Sequence, residues 1–184
     1  MNKYTFSQDW FTQGKHLFEK HLAEFADAPV QFLEIGNYEG RSAFWQLDNI
    51  LTNPLANLTC VDPQLDPVIR KRFNQNSYLC ERATNQLTVF YNTSLDYFLK
   101  YNEGARFDFI YVDGAHDQES VLQDAVLAFN TLKSGGVLAF DDFEWRDPAN
   151  PEIRPKEAIE GFLECYKRKL AVLEKDYQVW LRKL

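Results

Sequence analysis

The sequence predicts an α/β fold: a seven-stranded, mostly parallel sheet with helices on both faces and an antiparallel hairpin at its C-terminal edge. Short segments that are apolar throughout alternate along the chain with segments of helical periodicity. This alternation is typical of a parallel sheet that is covered on both sides. The C-terminal stretch LAVLEKDYQVWLRKL instead predicts two strands joined by a tight turn at Lys175-Asp176.

Size and charge limit the class of protein. At 184 residues the chain is most simply a single domain, 1–184, in which residues 1–28 form an N-terminal helix that packs on or caps the site. The 27 acidic and 20 basic residues give a net charge of −7. That charge argues against nucleic acid and anionic membranes as partners and is compatible with a small-molecule partner. No pattern in the sequence predicts an oligomeric state.

The cysteines indicate a reducing environment. The three cysteines are odd in number and contain no C-x-x-C pair, so neither a disulfide framework nor a zinc cluster is indicated. The N-terminus lacks an apolar core of signal-peptide length, and no apolar run is long enough to span a membrane. We therefore expect a cytoplasmic protein.

The first half of the chain predicts two helices and three strands after an N-terminal helix. Ser7 is the expected N-cap of that first helix, because apolar residues recur at helical spacing from Trp10 to Phe25. Apolar segments bounded by turn signals predict strands at 30–36, 58–63 and 86–94. Helices are predicted at 41–51 and from Asp66-Pro67 to about Ala83.

The second half continues the alternation and then ends in the hairpin. Strands are predicted at 107–114 and 136–143. Helices are predicted at 95–102, at 118–132 and from Pro155 to about Lys169. We expect the helix at 118–132 to be closed by Ser134-Gly135-Gly136.

Four predicted strands end in acidic residues: Glu34, Asp62, Asp113 and the pair Asp141-Asp142. Each acid alone is as compatible with a solvated turn as with a site. The carboxyl ends of parallel strands meet at one edge of a sheet, which is where α/β proteins bind their ligands. The four positions together therefore predict a functional site at that edge.

The segment FLEIGNYEGRS, 32–42, is a strand, a glycine turn and a helix start. The dinucleotide fingerprint requires glycines where this chain has Tyr38 and Arg41. The phosphate loop of nucleoside triphosphatases is one residue longer and needs a lysine where Arg41 stands. S-adenosylmethionine is the remaining ligand class that uses a junction of this kind.

The motif E-x-G-x-x-x-G at 34–40, together with VDGAH, GGVLAFDDF and YQVWLRKL, resembles the class I S-adenosylmethionine-dependent methyltransferases, whose sheet is Rossmann-like. The chain is most similar to the branch often called methyltransferase family 24, related to the small metal-dependent catechol and sugar O-methyltransferases. It departs from the commonest pattern by placing Tyr38 at the middle glycine, a position at which the catechol-type enzymes also carry other residues.

The resemblance implies S-adenosylmethionine as cofactor, bound by Glu34, Gly36, Tyr38, Gly40, Ser42, Asp62, Thr93, Ser94 and Asp113. Gly36 and Gly40 would let the backbone run against the methionine part. The free N–H groups of the helix that starts near Arg41 would face its carboxylate. Asp62 would accept both ribose hydroxyls. Thr93 and Ser94 would lie beside the adenine, or form a simple turn.

The same resemblance implies that Asp113, Asp141 and Asp142 hold Mg²⁺ or another divalent cation, for which carboxylates are suitable ligands. Alternatively, Asp142 only caps a turn and Asp113 contacts the cofactor. His116 stands where the catechol enzymes carry a lysine base. Its ordinary pKa suits a general base, so His116 and Asp113 are the expected catalytic residues.

The functional expectation is metal-assisted O-methylation of a small molecule. Two alternatives stay open: a metal-independent N- or C-methyltransferase, and a non-catalytic module that binds S-adenosylmethionine. Four aromatic or basic residues are candidates for contact with the acceptor: Trp10, Phe11, Trp145 and Arg146. Ordinary packing of the aromatic rings and a solvated charge on the arginine are equally compatible with the sequence.

Overall fold

The structure, a computed structural model, describes residues 3–101 and 103–184. Its helices are α1 Lys15–Leu22, α2 Arg41–Asn49, α3 Pro67–Leu79, α4 Ala83–Gln86, α5 Ser94–Tyr101, α6 Gln118–Thr131 and α7 Lys156–Tyr166. Its strands are β1 Gln31–Ile35, β2 Asn57–Val61, β3 Leu87–Phe90, β4 Phe107–Val112, β5 Leu132–Phe140, β6 Leu170–Lys175 and β7 Val179–Lys183.

The strands form one sheet in the order β3-β2-β1-β4-β5-β7-β6. The pairs β1–β2, β2–β3 and β4–β5 are parallel, whereas β7 runs antiparallel to both β5 and β6. The predicted fold class is therefore confirmed: a Rossmann-like, mostly parallel seven-stranded sheet with an antiparallel C-terminal hairpin. No helix within 3–101 and 103–184 has the length and apolar character needed to cross a membrane.

The residues cluster into two compact units, Met1–Thr93 and Ser94–Leu184. The single-domain assignment stays a prediction. In the first unit the register of β1 on β2 runs from Gln31–Asn57 to Ile35–Val61. Helix α3 starts as predicted, with Pro67 in its first turn and Asp66 as N-cap accepting from the Val68 N–H at 2.7 Å.

The N-terminal helix begins later than predicted, at Lys15 rather than after Ser7. Ser7 does not cap a helix, because its groups bond to Glu39 instead: the hydroxyl donates to Oε1 at 2.8 Å and the backbone N–H donates to Oε2 at 2.6 Å. Glu39 is buried and also pairs with Arg72. Ser7 therefore bonds to Glu39 and does not cap a helix, and within the stretch before Lys15 the Asp9 carboxylate accepts from the Thr12 N–H at 3.0 Å and hydroxyl at 2.8 Å.

In the second unit, the glycines expected to close helix α6 lie inside a strand. Helix α6 ends at Thr131, and β5 already begins at Leu132, which pairs with Phe107. Gly135 has φ +82°, and a Cβ on Gly136 would lie 2.9 Å from the Lys133 carbonyl oxygen. The glycines thus serve an irregular start of the strand, next to a register shift in the β4–β5 pairing.

The antiparallel strand of the hairpin lies one position inside the edge. Strand β7 is flanked by β5 and β6, and its residues Val179, Trp180 and Leu181 are fully buried. Strand β6 leaves Val172 about half exposed, at 49%. The apolar strand therefore takes the covered position, and the amphipathic strand takes the edge.

A buried carboxylate joins β1 to α2. Glu34 is fully buried, and its two oxygens accept from the Ser42 hydroxyl and from Gln46 Nε2, both at 2.6 Å. Burial raises the pKa of Glu34 to about 7, although the two hydrogen bonds favour the charged form. The link between strand and helix therefore contains an acid that titrates near neutral pH.

Glu34 makes stability depend on pH. Since its folded-state pKa of about 7 exceeds the ordinary 4.5, the protonated form is favoured on folding, and this contribution is lost as pH rises through 7. We expect the unfolding free energy contributed by this group to fall by about 3 kcal/mol between about pH 4 and pH 8. Urea denaturation across that pH range should show a smaller fall in unfolding free energy for Glu34→Gln than for the parent.

The matched control is Glu81→Gln, because Glu81 is exposed and should leave the pH dependence of the parent unchanged. Equal pH slopes for the parent and Glu34→Gln would contradict the assignment.

Candidate functional site

The glycine turn between β1 and α2 contains three residues in the left-handed region. Gly36, Tyr38 and Gly40 have φ of 79°, 45° and 84°. A Cβ on Gly40 would lie 2.3 Å from Phe44 Cε2 and 2.9 Å from Phe73 Cδ2. Glycine at 40 is therefore required by backbone conformation and packing. Tyr38 adopts the same region despite its bulk, a conformation that is uncommon outside functional turns.

The Asp62 carboxylate holds this turn. Its Oδ2 accepts from the backbone N–H groups of Asn37 at 3.0 Å and Tyr38 at 2.9 Å, and its Oδ1 accepts from that of Gln64 at 2.7 Å. Asp62 is partly exposed. The residue predicted to bind ribose hydroxyls therefore already accepts three hydrogen bonds from the chain.

Glu34 and Ser42, both predicted to contact the cofactor, bond to each other. Glu34 is fully buried and Ser42 is 8% exposed, so this pair sets the position of α2. The N-cap of α2 is Gly40, and within the described residues no side chain caps this helix. The backbone N–H groups of its first turn are thus suited to bind an anionic group.

Two buried amides flank the turn and were missed by the sequence analysis. Asn37 is 2% exposed and Gln64 is 5% exposed. Neither the Oδ1 nor the Nδ2 of Asn37 has a hydrogen-bond partner among the described residues, and the same holds for the Oε1 of Gln64. A polar residue directly after the strand-ending Gly36 was the available signal.

The predicted adenine contacts occupy the end of one unit and the start of the next. Thr93 is exposed, and Ser94 is the first residue of α5. Within the second unit, Ser94 hydrogen-bonds to Asp124 on α6, an acid that is 2% exposed. Burial raises the pKa of Asp124 to about 6. The sequence analysis did not single out Asp124, which occupies a helix position that is usually apolar.

In the second unit, Asp113, His116 and Asp142 come together. One potential ligand atom from each lies within 4.8 Å of the others, and His116 Nε2 is 3.1 Å from Asp142 Oδ2. Asp142 adopts a left-handed φ of 59°, a conformation that Asp tolerates better than most residues. Two carboxylates and an imidazole form a donor set that fits a divalent cation such as Mg²⁺ or Mn²⁺.

Asp141 belongs to a different network from the one predicted. The Tyr111 hydroxyl donates to its Oδ2, and the backbone N–H of Asp142 donates to its Oδ1 at 2.8 Å. Burial, followed by the charge of Asp142, raises the pKa of Asp141. The cluster that the structure forms therefore has His116 in the place expected for Asp141.

Aromatic residues border the cluster. The ring of Trp145 lies 4.5 Å from that of His116, and the Tyr177 hydroxyl donates to Asp142 Oδ1 at 3.0 Å. The hydrogen bond to Asp142 raises the pKa of His116, against the opposing effect of burial. The neutral ring, which is the form that accepts a proton, is disfavoured by this pairing.

The other residues predicted to contact the acceptor differ in their exposure to solvent. Arg146 is exposed. Trp10 is 67% exposed and packs on Tyr38, with the ring centroids 5.1 Å apart. Phe11 is buried against Phe18 and Trp45, so it serves the core.

The comparisons with known proteins agree with this architecture. A family model described as a methyltransferase domain, family 24, matches residues 33–143. The chain matches no curated protein. Solved structures similar to the chain include the O-methyltransferase TomG from Streptomyces achromogenes in complex with S-adenosylmethionine, with 17% identity, a TM-score of 0.67, and coverage of 93% of this chain and 79% of that one.

Two further structures have the same fold. An O-methyltransferase from Bacillus cereus in complex with S-adenosylhomocysteine has 17% identity and a TM-score of 0.68, covering 96% of this chain and 83% of that one. The S-adenosylhomocysteine-bound methyltransferase PaMTH1 from Podospora anserina has 17% identity and a TM-score of 0.68, covering 96% and 80%. With the family model spanning more than half of its length, the chain belongs to methyltransferase domain family 24, within the class I S-adenosylmethionine-dependent methyltransferases.

Proposed function

We propose that the protein is a metal-assisted O-methyltransferase that acts on a small molecule. The observation that carries this proposal is the cluster of Asp113, His116 and Asp142 in a chain of a methyltransferase family. The net charge of −7 supports a small acceptor over a nucleic acid. The three cysteines are free in the described chain, which is compatible with the cytoplasmic location that we expect.

The glycine turn would hold the cofactor. S-adenosylmethionine supplies an electrophilic methyl group when it is bound. The uncapped N-terminus of α2 would bind its carboxylate, and Asp62 would bind the ribose through the acceptor capacity that its three backbone hydrogen bonds leave. Thr93 and Ser94 are proposed beside the adenine. Both amide atoms of Asn37 and the Oε1 of Gln64 have no partner among the described residues, which supports a polar ligand at this turn.

Asp113, His116 and Asp142 would hold the cation. A divalent ion at these residues supplies Lewis acidity toward an acceptor hydroxyl, which is a poor nucleophile at neutral pH. Asp142 accepts a hydrogen bond from Tyr177, and Asp141 accepts one from Tyr111. The Trp145 ring beside His116 offers an apolar surface to the acceptor.

A second candidate function is methyl transfer without metal, in which His116 is the general base. The observation that favours it is the contact of His116 with Asp142, since a carboxylate commonly orients a catalytic imidazole. In this alternative Asp113 orients the acceptor. The two functions predict different responses to Mg²⁺: a saturating Mg²⁺ concentration should restore the activity of a His116 variant only if His116 is a metal ligand.

The first test concerns the cofactor. We expect the parent to bind S-adenosylhomocysteine, and Asp62→Asn to weaken that binding by about 1–3 kcal/mol, because an amide replaces an oxygen that accepts hydrogen bonds. Isothermal titration calorimetry measures the change. Asp66→Asn is the matched control, since Asn also serves as an N-cap. A parent that does not bind S-adenosylhomocysteine would refute the proposed function.

The second test concerns the metal. We expect Asp113→Asn and Asp142→Asn to weaken Mg²⁺ binding by at least about 10- to 100-fold, because that is the typical loss for groups that only orient a metal ligand, while the protein stays folded. The measurement is Mg²⁺ titration by calorimetry with S-adenosylhomocysteine present. Asp176→Asn, at the exposed hairpin turn, should bind Mg²⁺ like the parent. Equal Mg²⁺ affinity in all four proteins would remove the metal from the proposal.

The third test separates the two roles of His116 by measuring release of S-adenosylhomocysteine with a panel of hydroxylated small molecules. If His116 is a metal ligand, His116→Ala should need more Mg²⁺ for half-maximal rate and approach the parental kcat at saturating Mg²⁺. If His116 is the base, kcat should stay about 10²- to 10⁴-fold lower at every Mg²⁺ concentration. A variant with parental rates and Mg²⁺ dependence would exclude both roles.

A further inference from the structure

Backbone N–H groups of the protein itself occupy most of the hydrogen-bond acceptor sites of the Asp62 carboxylate. An ionised carboxylate offers about four lone-pair sites. Three of them take backbone N–H groups: Asn37 and Tyr38 donate to Oδ2, and Gln64 donates to Oδ1. While these bonds persist, about one site remains for a ligand, and it is on Oδ1. Asp62 alone therefore cannot accept both protons of a vicinal diol.

Asn37 and Gln64, whose backbone N–H groups donate to opposite oxygens of Asp62, also carry buried amide atoms without a partner among the described residues. Asn37 and Gln64 are 2% and 5% exposed. Gln64 Nε2 donates to the carbonyl oxygen of Tyr38 at 2.7 Å, which keeps the Gln64 side chain folded over the turn. Its Oε1 has no partner in the described chain, and neither polar atom of Asn37 has one.

Buried amide atoms without partners are unfavourable, because they have lost water and gained nothing in return. An apolar residue of similar size at position 37 would avoid this loss in the ligand-free protein. Asn37 has no positive φ, unlike its neighbours Gly36 and Tyr38, so backbone conformation does not require Asn at this position. The amide is better explained by a ligand that supplies its partners.

We propose that Asn37 and Gln64 determine the specificity of this site for a vicinal diol. Asp62 accepts one hydroxyl proton at its remaining site, and an amide oxygen of Asn37 or Gln64 accepts the other. The Nδ2 of Asn37 donates to a hydroxyl oxygen of the same diol. The inference rests on the proposed function, in which the diol is the ribose of the cofactor. It adds Asn37 and Gln64 to Asp62 as residues that bind the ribose hydroxyls.

The experiment compares S-adenosylhomocysteine with its 2′-deoxy and 3′-deoxy analogues on the parent and on Asn37→Leu. We expect Asn37→Leu to bind S-adenosylhomocysteine about tenfold more weakly, the effect of one lost hydrogen bond of ordinary strength. It should also discriminate less than the parent between S-adenosylhomocysteine and at least one deoxy analogue. Calorimetry measures the affinities, and urea denaturation measures the ligand-free stability.

A second readout separates a binding role from a structural one. Because Leu removes unpartnered polar atoms, ligand-free Asn37→Leu should be at least as stable as the parent while binding more weakly. Asn85→Leu, at an exposed position of α4, is the matched control and should keep the parental affinities. If Asn37→Leu does not fold, Asn37→Ala removes the same atoms without adding volume, and the same loss of discrimination is expected.

The outcomes are distinct. A parent that fails to bind S-adenosylhomocysteine refutes the proposed function, and this inference with it. A parent that binds it, with Asn37 variants that keep the parental affinity and the parental preference over both deoxy analogues, overturns this inference alone. A variant that loses affinity for all three ligands equally also overturns it, because the loss is then independent of the hydroxyls.

Discussion

The glycine turn of the first unit depends on the Asp62 carboxylate. Asp62 directly follows β2, and it accepts hydrogen bonds from three backbone N–H groups, two of them from the turn that follows β1. The turn is left-handed at Gly36, Tyr38 and Gly40. The Gly40 N–H donates within the turn to the Asn37 carbonyl oxygen, whereas the N–H groups of Asn37 and Tyr38 need the external acceptor that Asp62 supplies. Once the turn is fixed, Gly40 packs against Phe44 and Phe73, and α2 starts with an uncapped N-terminus. The feature most suited to an anionic ligand therefore follows from one carboxylate on the neighbouring strand.

Carboxylates with different partners perform different tasks in this chain. Glu34 is fully buried and joins β1 to α2, and Glu39 is buried under the N-terminal segment, where Ser7 and Arg72 bond to it. In the second unit, Asp142 faces His116 whereas its neighbour Asp141 faces Tyr111. Asp142 lies in the cluster with Asp113 and His116, whose oxygen and imidazole ligands are the ones proposed to hold a cation. Acidic residues at strand ends are thus not equivalent, and their hydrogen-bond partners decide which of them can bind a ligand.

Membership of the methyltransferase family accounts for the fold and for the general position of the glycine turn. The family match does not by itself assign roles to His116, Asn37 and Gln64. His116 stands in the cluster with Asp113 and Asp142, and an imidazole there makes the proposed metal site softer than a set of three carboxylates. Asn37 and Gln64 bring two amides to the turn with atoms that the described chain leaves unpartnered.

The sequence by itself determined the alternation of strands and helices, the sheet class, the glycine turn and the acids at the strand ends. These features depend on residues close together in the chain: apolar periodicity, glycines four positions apart in the turn and caps such as Asp66. The tertiary structure decided the start of α1, the inner place of β7 and the partners of Asp141 and Asp142. Ser7 does not cap a helix because its hydroxyl donates to Glu39, 32 positions away. Asp141, predicted as a metal ligand, instead accepts a hydrogen bond from Tyr111, 30 positions away. Local patterns contain no information about such distant partners, because competition among polar groups is settled only when packing brings them together.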